Sequence, residues 1–238
     1  MKKTARNALI AADLHISAAH PRRTEAFATF LNNAVTHSND VYLLGDVFDA
    51  WPGDDCDDDT AKTVIDAILT ATQQNVAVHV MTGNRDFLLG RRFCKRSGCR
   101  LLSEQHVAIF GERRFLFAHG DEFCGDAMYL FYRGIVRSAG FATLARILPI
   151  SQRLKTATLM RRQSQKHRQT AIINPTKAAA ALRKQQCEIL IHGHTHAAGE
   201  ETWQDGGREF VRYCLPDWEQ TPGAHLIITA AGEIQTAT

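Results

Sequence analysis

Five times along this chain a short apolar run ends in residues able to hold a metal ion, and this repetition constrains the fold more than any other feature. The phrases are "NALIAADLH" (7–15), "VYLLGDVFD" (41–49), "VAVHVMTGNRD" (76–86), "RFLFAHGD" (114–121) and "EILIHGHTH" (188–196). Each run is short, rich in β-branched or aromatic residues and closed by glycine or a polar residue, the signature of a buried strand. Helix-like stretches separate them at Thr24–Val35, Thr60–Gln73 and Pro175–Gln186, the last opening on a proline suited to a first helical turn. Strands alternating with helices predict an α/β sheet, where ligands bind beyond the carboxyl ends of the strands. All five runs place their chemically capable residues at that end.

The spacing separates a core from an addition. Asp13, Asp46, Asn84 and His119 follow one another at intervals of 33, 38 and 35 residues, each room for one helix and a return strand, but His194 comes 75 residues after His119. Within the longer interval, from Ala127 to Cys187, there is no Asp or Glu and there are twelve basic residues: Arg133, Arg137, Arg146, Arg153, Lys155, Arg161, Arg162, Lys166, Arg168, Lys177, Arg183 and Lys184. The whole chain carries 28 basic and 25 acidic residues, so the remainder balances at 16 against 25, or −9. The expectation is a core of 1–126 and 176–238 with a basic insertion, 127–175, mounted beside the site as a lid and facing something anionic.

The residues gathered at the strand ends are Asp13, His15, Asp46, Asn84, His119, His194 and His196. Carboxylate and amide oxygens are hard donors and imidazole is borderline, so a set without thiolate suits Mn²⁺, Fe or Zn²⁺. Seven ligands are too many for one small ion. They suffice for two ions sharing a bridging carboxylate, an arrangement that activates water and offsets the charge of an in-line phosphoryl displacement. Singly, each phrase has an ordinary reading as turn chemistry. Five in this order do not.

The series DxH, GD, GN(H/R)D, H, GHxH resembles the calcineurin-like metallophosphoesterase superfamily, which implies an αββα sandwich of two sheets flanked by helices. It further implies that one ion takes Asp13, His15 and His196, that the second takes Asn84, His119 and His194, and that Asp46 bridges them. His192, one step earlier on the strand, is read as a packing or supporting residue. The residue after Asn84 is Arg85, which stays charged and cannot act as a general acid, but can clamp a phosphate. A leaving group that needs no proton, such as another phosphate, suits that site. Asp46, Asn84 and Arg85 are the expected catalytic residues.

"LGDVFDAWPGDD" (44–55), "GNRDFLLGRRF" (83–93), "HGDEFC" (119–124), "LIHGHTH" (190–196) and "LPDW" (215–218) resemble the UDP-2,3-diacylglucosamine pyrophosphatase family of lipid A synthesis. That resemblance implies a UDP-linked acylated glucosamine substrate, two Mn²⁺ ions, a helical insertion that grips the acyl chains, and peripheral attachment to the cytoplasmic face of the inner membrane. Asn84, Arg85, His194 and Ser164 match substrate-binding positions. Two departures stand out: Arg168 occupies the approximate register of a family lysine, and Asp126-Ala127 replaces two adjacent aspartates, so that the sugar contact the resemblance implies is either missing or shifted to Asp126. The alternative is a metallophosphoesterase acting on another nucleotide diphosphate or phosphodiester. A binding module without catalysis would have lost ligands, and all seven are present.

The insertion carries its own signal for a lipid. Met128, Phe131, Tyr132, Ile135 and Val136 fall at i, i+3, i+4, i+7 and i+8, and Phe141, Leu144, Ile147 and Leu148 repeat the stripe before Pro149. An apolar stripe on a basic helix reads as facing lipid or a membrane surface, where each basic residue contributes roughly 1 kcal/mol. No run of ~18 apolar residues is present, and Asp13 and His15 break the first apolar stretch, so neither a membrane span nor a signal peptide is expected. The six cysteines form no CxxC pair and read as reduced thiols, with Cys94 and Cys99 packing. "DDCDDD" (54–59) reads as a solvated loop. The basic segment shows no aromatic stacking platform, so no nucleic-acid partner is expected. A monomer is expected.

Overall fold

The computed structural model describes residues 6–37, 39–157 and 172–237. Two sheets form the centre. The first has the order β11-β10-β1-β2-β3-β4, built from β1 (Ala8–Ala11), β2 (Asp40–Leu44), β3 (Val78–Met81), β4 (Arg100–Leu101), β10 (His225–Ile228) and β11 (Ile234–Ala237). The second runs β5-β6-β7-β9-β8, built from β5 (Gln105–Phe110), β6 (Arg113–Ala118), β7 (Ile189–His192), β8 (Gly199–Asp205) and β9 (Arg208–Cys214). β1, β2, β3 and β4 are mutually parallel, and so are β6, β7 and β9. The five runs read from the sequence are β1, β2, β3, β6 and β7.

Period-2 alternation sorts each strand between two cores. Ala8 and Ile10 of β1 face inward onto Phe115 and Phe117 of β6 and Ile189 and Ile191 of β7, filling the space between the sheets. Leu9 and Ala11 face outward, under helices α1 (Pro21–Thr36), α2 (Asp59–Gln73) and α3 (Arg91–Ser97), with Phe27, Phe30, Val64, Ile68 and Phe93. Leu116 and Leu190 face outward from the second sheet, under Ala178, Ala179 and Leu182 of α7 (Pro175–Gln185). The layers are therefore helix, sheet, sheet, helix, as the resemblance implied. A slip of one residue in β1 or β6 would exchange the two cores, so the register is strongly held.

β6 and β7 are hydrogen-bonded neighbours, which makes everything between them one crossover. It contains α4 (Ala127–Val136), α5 (Ala139–Ile147), a helical stretch α6 at 150–157, and α7. The expected stripe divides. Val136 is buried, and Phe141 packs on the first core and lies 6.2 Å from Phe87. Met128, Phe131, Ile135, Leu144 and Ile147 stay exposed, at 73, 68, 47, 60 and 75 %.

Part of the basic segment faces anionic groups of the same chain. Arg133 and Arg137 pair with Asp121 and Glu104, Arg153 pairs with Asp55, and Arg183 pairs with Asp205. Lys177 Nζ donates to Cys124 O. Four of the twelve cations thus pair with carboxylates of the same chain and a fifth meets a backbone carbonyl, because burying a charge without a partner is costly. The aspartate loop is also more structured than expected. Asp54 accepts from the backbone of Gly90, Arg92 and Phe93 at the start of α3, and Asp58 caps α2.

Candidate active site

The parallel strands deliver every candidate ligand to one rim. Asp13 and His15 follow β1, Asp46 follows β2, Asn84 follows β3, His119 follows β6, and His194 and His196 follow β7. Adjacent turns are sewn together by backbone bonds: Asp13 N to Gly45 O at 3.1 Å, His15 N to Asp46 O at 3.0 Å, and Gly193 N to His119 O at 3.0 Å. Five of the seven candidates, Asp13, His15, Asp46, His194 and His196, have left-handed backbone with φ of 55, 48, 52, 67 and 56°. Each such residue costs about 1–3 kcal/mol and persists only where its surroundings over-determine it, a feature that clusters at functional sites.

The side chains converge on both sides of Asp46. Its Oδ2 lies 3.9 Å from His15 Nδ1 and its Oδ1 lies 3.8 Å from His119 Nε2, too far for hydrogen bonds. Ligand atoms of Asp13, His15 and His196 lie within 4.8 Å of one another, as do those of Asp13, Asp46 and His119. On the far side, His119 Nε2 and His194 Nδ1 both sit 3.0 Å from Asn84 Oδ1. His194 N donates to Asp13 Oδ2 at 2.7 Å, tying the two halves together.

Buried polar atoms test whether cations fit. Asp13 Oδ1 and both ring nitrogens of His15 are buried without a hydrogen-bond partner. Such atoms cost free energy unless something satisfies them. A divalent cation would, and the mixed oxygen and imidazole donors suit one. Burial, aided by the Arg85 charge, holds His15 well below its usual range, and burial with neighbouring His119 lowers His194 to about 3. Both rings are therefore neutral and able to ligate at physiological pH. Burial also disfavours the charged form of His119, but the Asp46 and Asp13 carboxylates outweigh it and raise that ring to about 9. Asp46 is itself pushed up, chiefly by burial.

Arg85 lies on the same rim. Its backbone N donates to Asp46 Oδ1 at 2.8 Å, its Nη1 donates to Asp49 Oδ1 at 2.6 Å, and Glu219 Oε1 lies 3.8 Å from Nη2. The guanidinium is aimed by carboxylates before any substrate arrives. Asp126 caps α4 instead of pointing freely, accepting from Met128 N at 2.8 Å and Tyr129 N at 3.1 Å. Ser164 and Arg168 lie outside the described residues. His192 is fully buried, with Nδ1 donating to Gly193 O at 2.8 Å. It supports the turn between His119 and His194.

Three further aspartates, each inside one of the sequence motifs, hold the rim together. Asp86 accepts from Gly83 N at 2.6 Å and Val47 N at 2.8 Å, pinning the loops that carry Asn84 and Asp46, and burial followed by the Asp46 charge raises it to about 6. Asp121 sits fully buried between Arg133 and Arg137, which outweigh burial and hold its carboxyl below the usual range. Arg137 Nη2 also donates to Gly83 O at 3.0 Å, so α4 is latched to the Asn84 loop. Asp217 accepts from His196 Nδ1 at 2.8 Å. The available signal was the aspartate in GNRD, HGD and LPDW. Single aspartates near turns are too common to be assigned without tertiary structure.

Residues 7–198 match the calcineurin-like phosphoesterase family model. The chain belongs to the calcineurin-like phosphoesterase family. Proteins named UDP-2,3-diacylglucosamine hydrolase are similar to it over nearly their whole length. The one from Chromohalobacter salexigens is 34% identical over 221 residues, covering 90% of each chain. That from Aeromonas salmonicida is 36% identical over 232 residues, 94% of this chain and 90% of the relative. One from Pseudomonas aeruginosa is 34% identical over 234 residues, 95% and 97%. The member described here keeps every metal-capable residue of the resemblance at the rim of its two sheets.

Proposed function

We propose that this chain hydrolyses the pyrophosphate bond of UDP-2,3-diacylglucosamine, releasing UMP and 2,3-diacylglucosamine 1-phosphate. The observation that carries the reading is the double-sided convergence on Asp46, with Arg85 beside it, in a chain whose relatives over nine-tenths of its length bear that hydrolase name. Asp13, His15, His196 and Asp46 would hold one divalent cation, and Asn84, His119, His194 and Asp46 a second. Mn²⁺ is the choice we favour. Such a pair supplies Lewis-acid charge and a hydroxide nucleophile at neutral pH.

The chain's own residues do the rest. Arg85 opposes the negative charge that develops on the phosphoryl oxygens and orients the diphosphate with its planar guanidinium. Asn84 and His194 contact the same group. The leaving sugar 1-phosphate needs no protonation, so the lack of a general acid at position 85 costs nothing here and would handicap an alkyl phosphodiester. Segment 127–175 acts as a lid over the acyl chains, since α4 and α5 carry exposed Met128, Phe131, Leu144 and Ile147 next to the rim. Ser164 and Arg168 join the substrate contacts, and Asp126 supports them by capping α4. Peripheral attachment to the inner membrane accords with that apolar face; no helix among the described residues is long and apolar enough to cross a membrane. The protein works as a monomer.

The test compares detergent-dispersed UDP-2,3-diacylglucosamine with dinucleoside polyphosphates and alkyl phosphodiesters with Mn²⁺ present, following UMP release from the first, nucleotide release from the second and phosphomonoester release from the third. The lipid diphosphate should be turned over fastest. Faster cleavage of an alkyl phosphodiester would overturn the reading of Arg85, and faster cleavage of soluble dinucleotides would overturn the lipid assignment.

A further inference from the structure

The matched family segment ends at residue 198, before the element that braces His196. β9 runs parallel to β7 with Cys214 opposite His192, and Leu215 N extends the ladder to His192 O at 2.7 Å. The two chains therefore leave the sheet side by side, one toward His196 and the other toward Asp217. The Asp217 carboxylate is buried and uses both oxygens. Oδ1 accepts from Gln220 N at 2.9 Å, closing a turn, while Oδ2 accepts from His196 Nδ1 at 2.8 Å and Gln220 Nε2 at 3.3 Å. The next residue, Trp218, is fully buried against Phe27 and Phe30, and its backbone N donates to Asp13 O at 3.2 Å. One short segment thus grips two members of the Asp13, His15, His196 cluster, one through a side chain and one through the backbone.

The chemistry of this grip is specific. A carboxylate surrounded by donors is an acceptor only, so Nδ1 of His196 must carry the proton, and a neutral ring then has its lone pair on Nε2. That nitrogen is the one left for the cluster, where the His196 ring stacks on His15 at 5.3 Å and 17°. His119 is treated in the same way by a different group, its Nδ1 donating to Leu44 O at 2.9 Å. We propose that Asp217 is a positioning residue for the cation site: through the hydrogen bond to Nδ1 it fixes the tautomer and orientation in which His196 ligates. The inference rests on the reading of this rim as a metal site.

Asparagine separates orientation from mere packing. Asp217→Asn keeps the volume and can keep the Gln220 turn with its carbonyl oxygen, but then presents an NH₂ donor to Nδ1, which favours the tautomer with Nε2 blocked. Metal-stripped protein titrated with Mn²⁺ alone, with free Mn²⁺ read by electron paramagnetic resonance, should show affinity at one class of site lowered about 10- to 100-fold in both Asp217→Asn and Asp217→Ala. The melting temperature of the metal-free Asn variant should stay near wild type. Wild-type Mn²⁺ affinity in the Asn variant, or a loss of affinity that tracks lost stability, would overturn the proposal. Nitrogen-15 chemical shifts of His196 in the metal-free wild type give an independent reading: protonated Nδ1 is expected, and protonated Nε2 with bare Nδ1 overturns it whether or not the variants fold. Wild-type protein that binds no Mn²⁺ while showing the expected tautomer would instead count against the metal site itself.

Discussion

Gly83 offers a sharp test of how tightly the rim is built. A β-carbon added there would lie 2.8 Å from Cγ of Asp46 and nearer still to its Oδ1 and backbone N. The obstacle includes backbone, so no rotamer change relieves it, and the Asn84 loop and Asp46 must separate by about 1 Å to restore van der Waals contact. Overpacking of this kind costs about 1–3 kcal/mol, which for a chain of this length lowers the melting temperature by roughly 2–4 °C per kcal/mol. The functional cost should be larger, because misplacing a reacting group by 1 Å can cost about 10²-fold and Asp46 faces both halves of the cluster. Gly83→Ala should therefore reduce kcat/KM on UDP-2,3-diacylglucosamine at least about 100-fold and weaken Mn²⁺ binding. Gly134→Ala is the paired control: it lies in α4, its added methyl meets nothing within 4 Å, and it should stabilise by about 0.5–1 kcal/mol with turnover unchanged. Gly83→Ala with turnover and Mn²⁺ affinity within threefold of wild type would refute the argument that Asp46 must sit where it does.

Other expectations follow from the same coordinates. Asp121→Asn leaves Glu104 as the carboxylate still paired with both Arg133 and Arg137 among the described residues, so urea denaturation should show a loss of roughly 2–3 kcal/mol, at or below the low end for breaking a buried pair because Glu104 remains; an unchanged midpoint would contradict it. His192 is pushed down to about 4 by burial, so the unfolded chain takes up that proton first as pH falls, and stability is lost between the usual histidine value and pH 4. At pH 5 the difference is about 2 kcal/mol, and melting curves of His192→Asn should fall off less steeply from pH 7.5 to 5 than those of the wild type; parallel slopes would exclude the titration. Phe131→Ser, Leu144→Ser and Ile147→Ser together should reduce co-sedimentation with anionic vesicles about tenfold without lowering the melting temperature, since these side chains are mostly exposed. Vesicle binding equal to wild type would place the lipid-facing surface elsewhere.

What the linear sequence determined about this protein was local: where apolar runs stop, which chemically capable residue stands at each stop, and how far apart the stops lie. Asp13, Asp46, Asn84, His119 and His194 were legible because parallel strands bring their carboxyl ends to one rim, so position along the chain translates directly into position in space. Tertiary structure alone decided the partners. The charge count says that Arg133, Arg137 and Arg153 face something anionic, but it cannot show that folding sets Asp121, Glu104 and Asp55 against them. Asp86 and Asp217 were visible as letters in motifs, yet their work depends on hydrogen bonds of 2.6–2.8 Å to groups reached by loop closure. Asp217 joins a histidine 21 residues away through the pairing of β9 with β7. Hydrogen bonds and ion pairs act over a few ångströms and in particular directions, so residues remote in sequence acquire such roles only once the sheets have set where each loop leaves them.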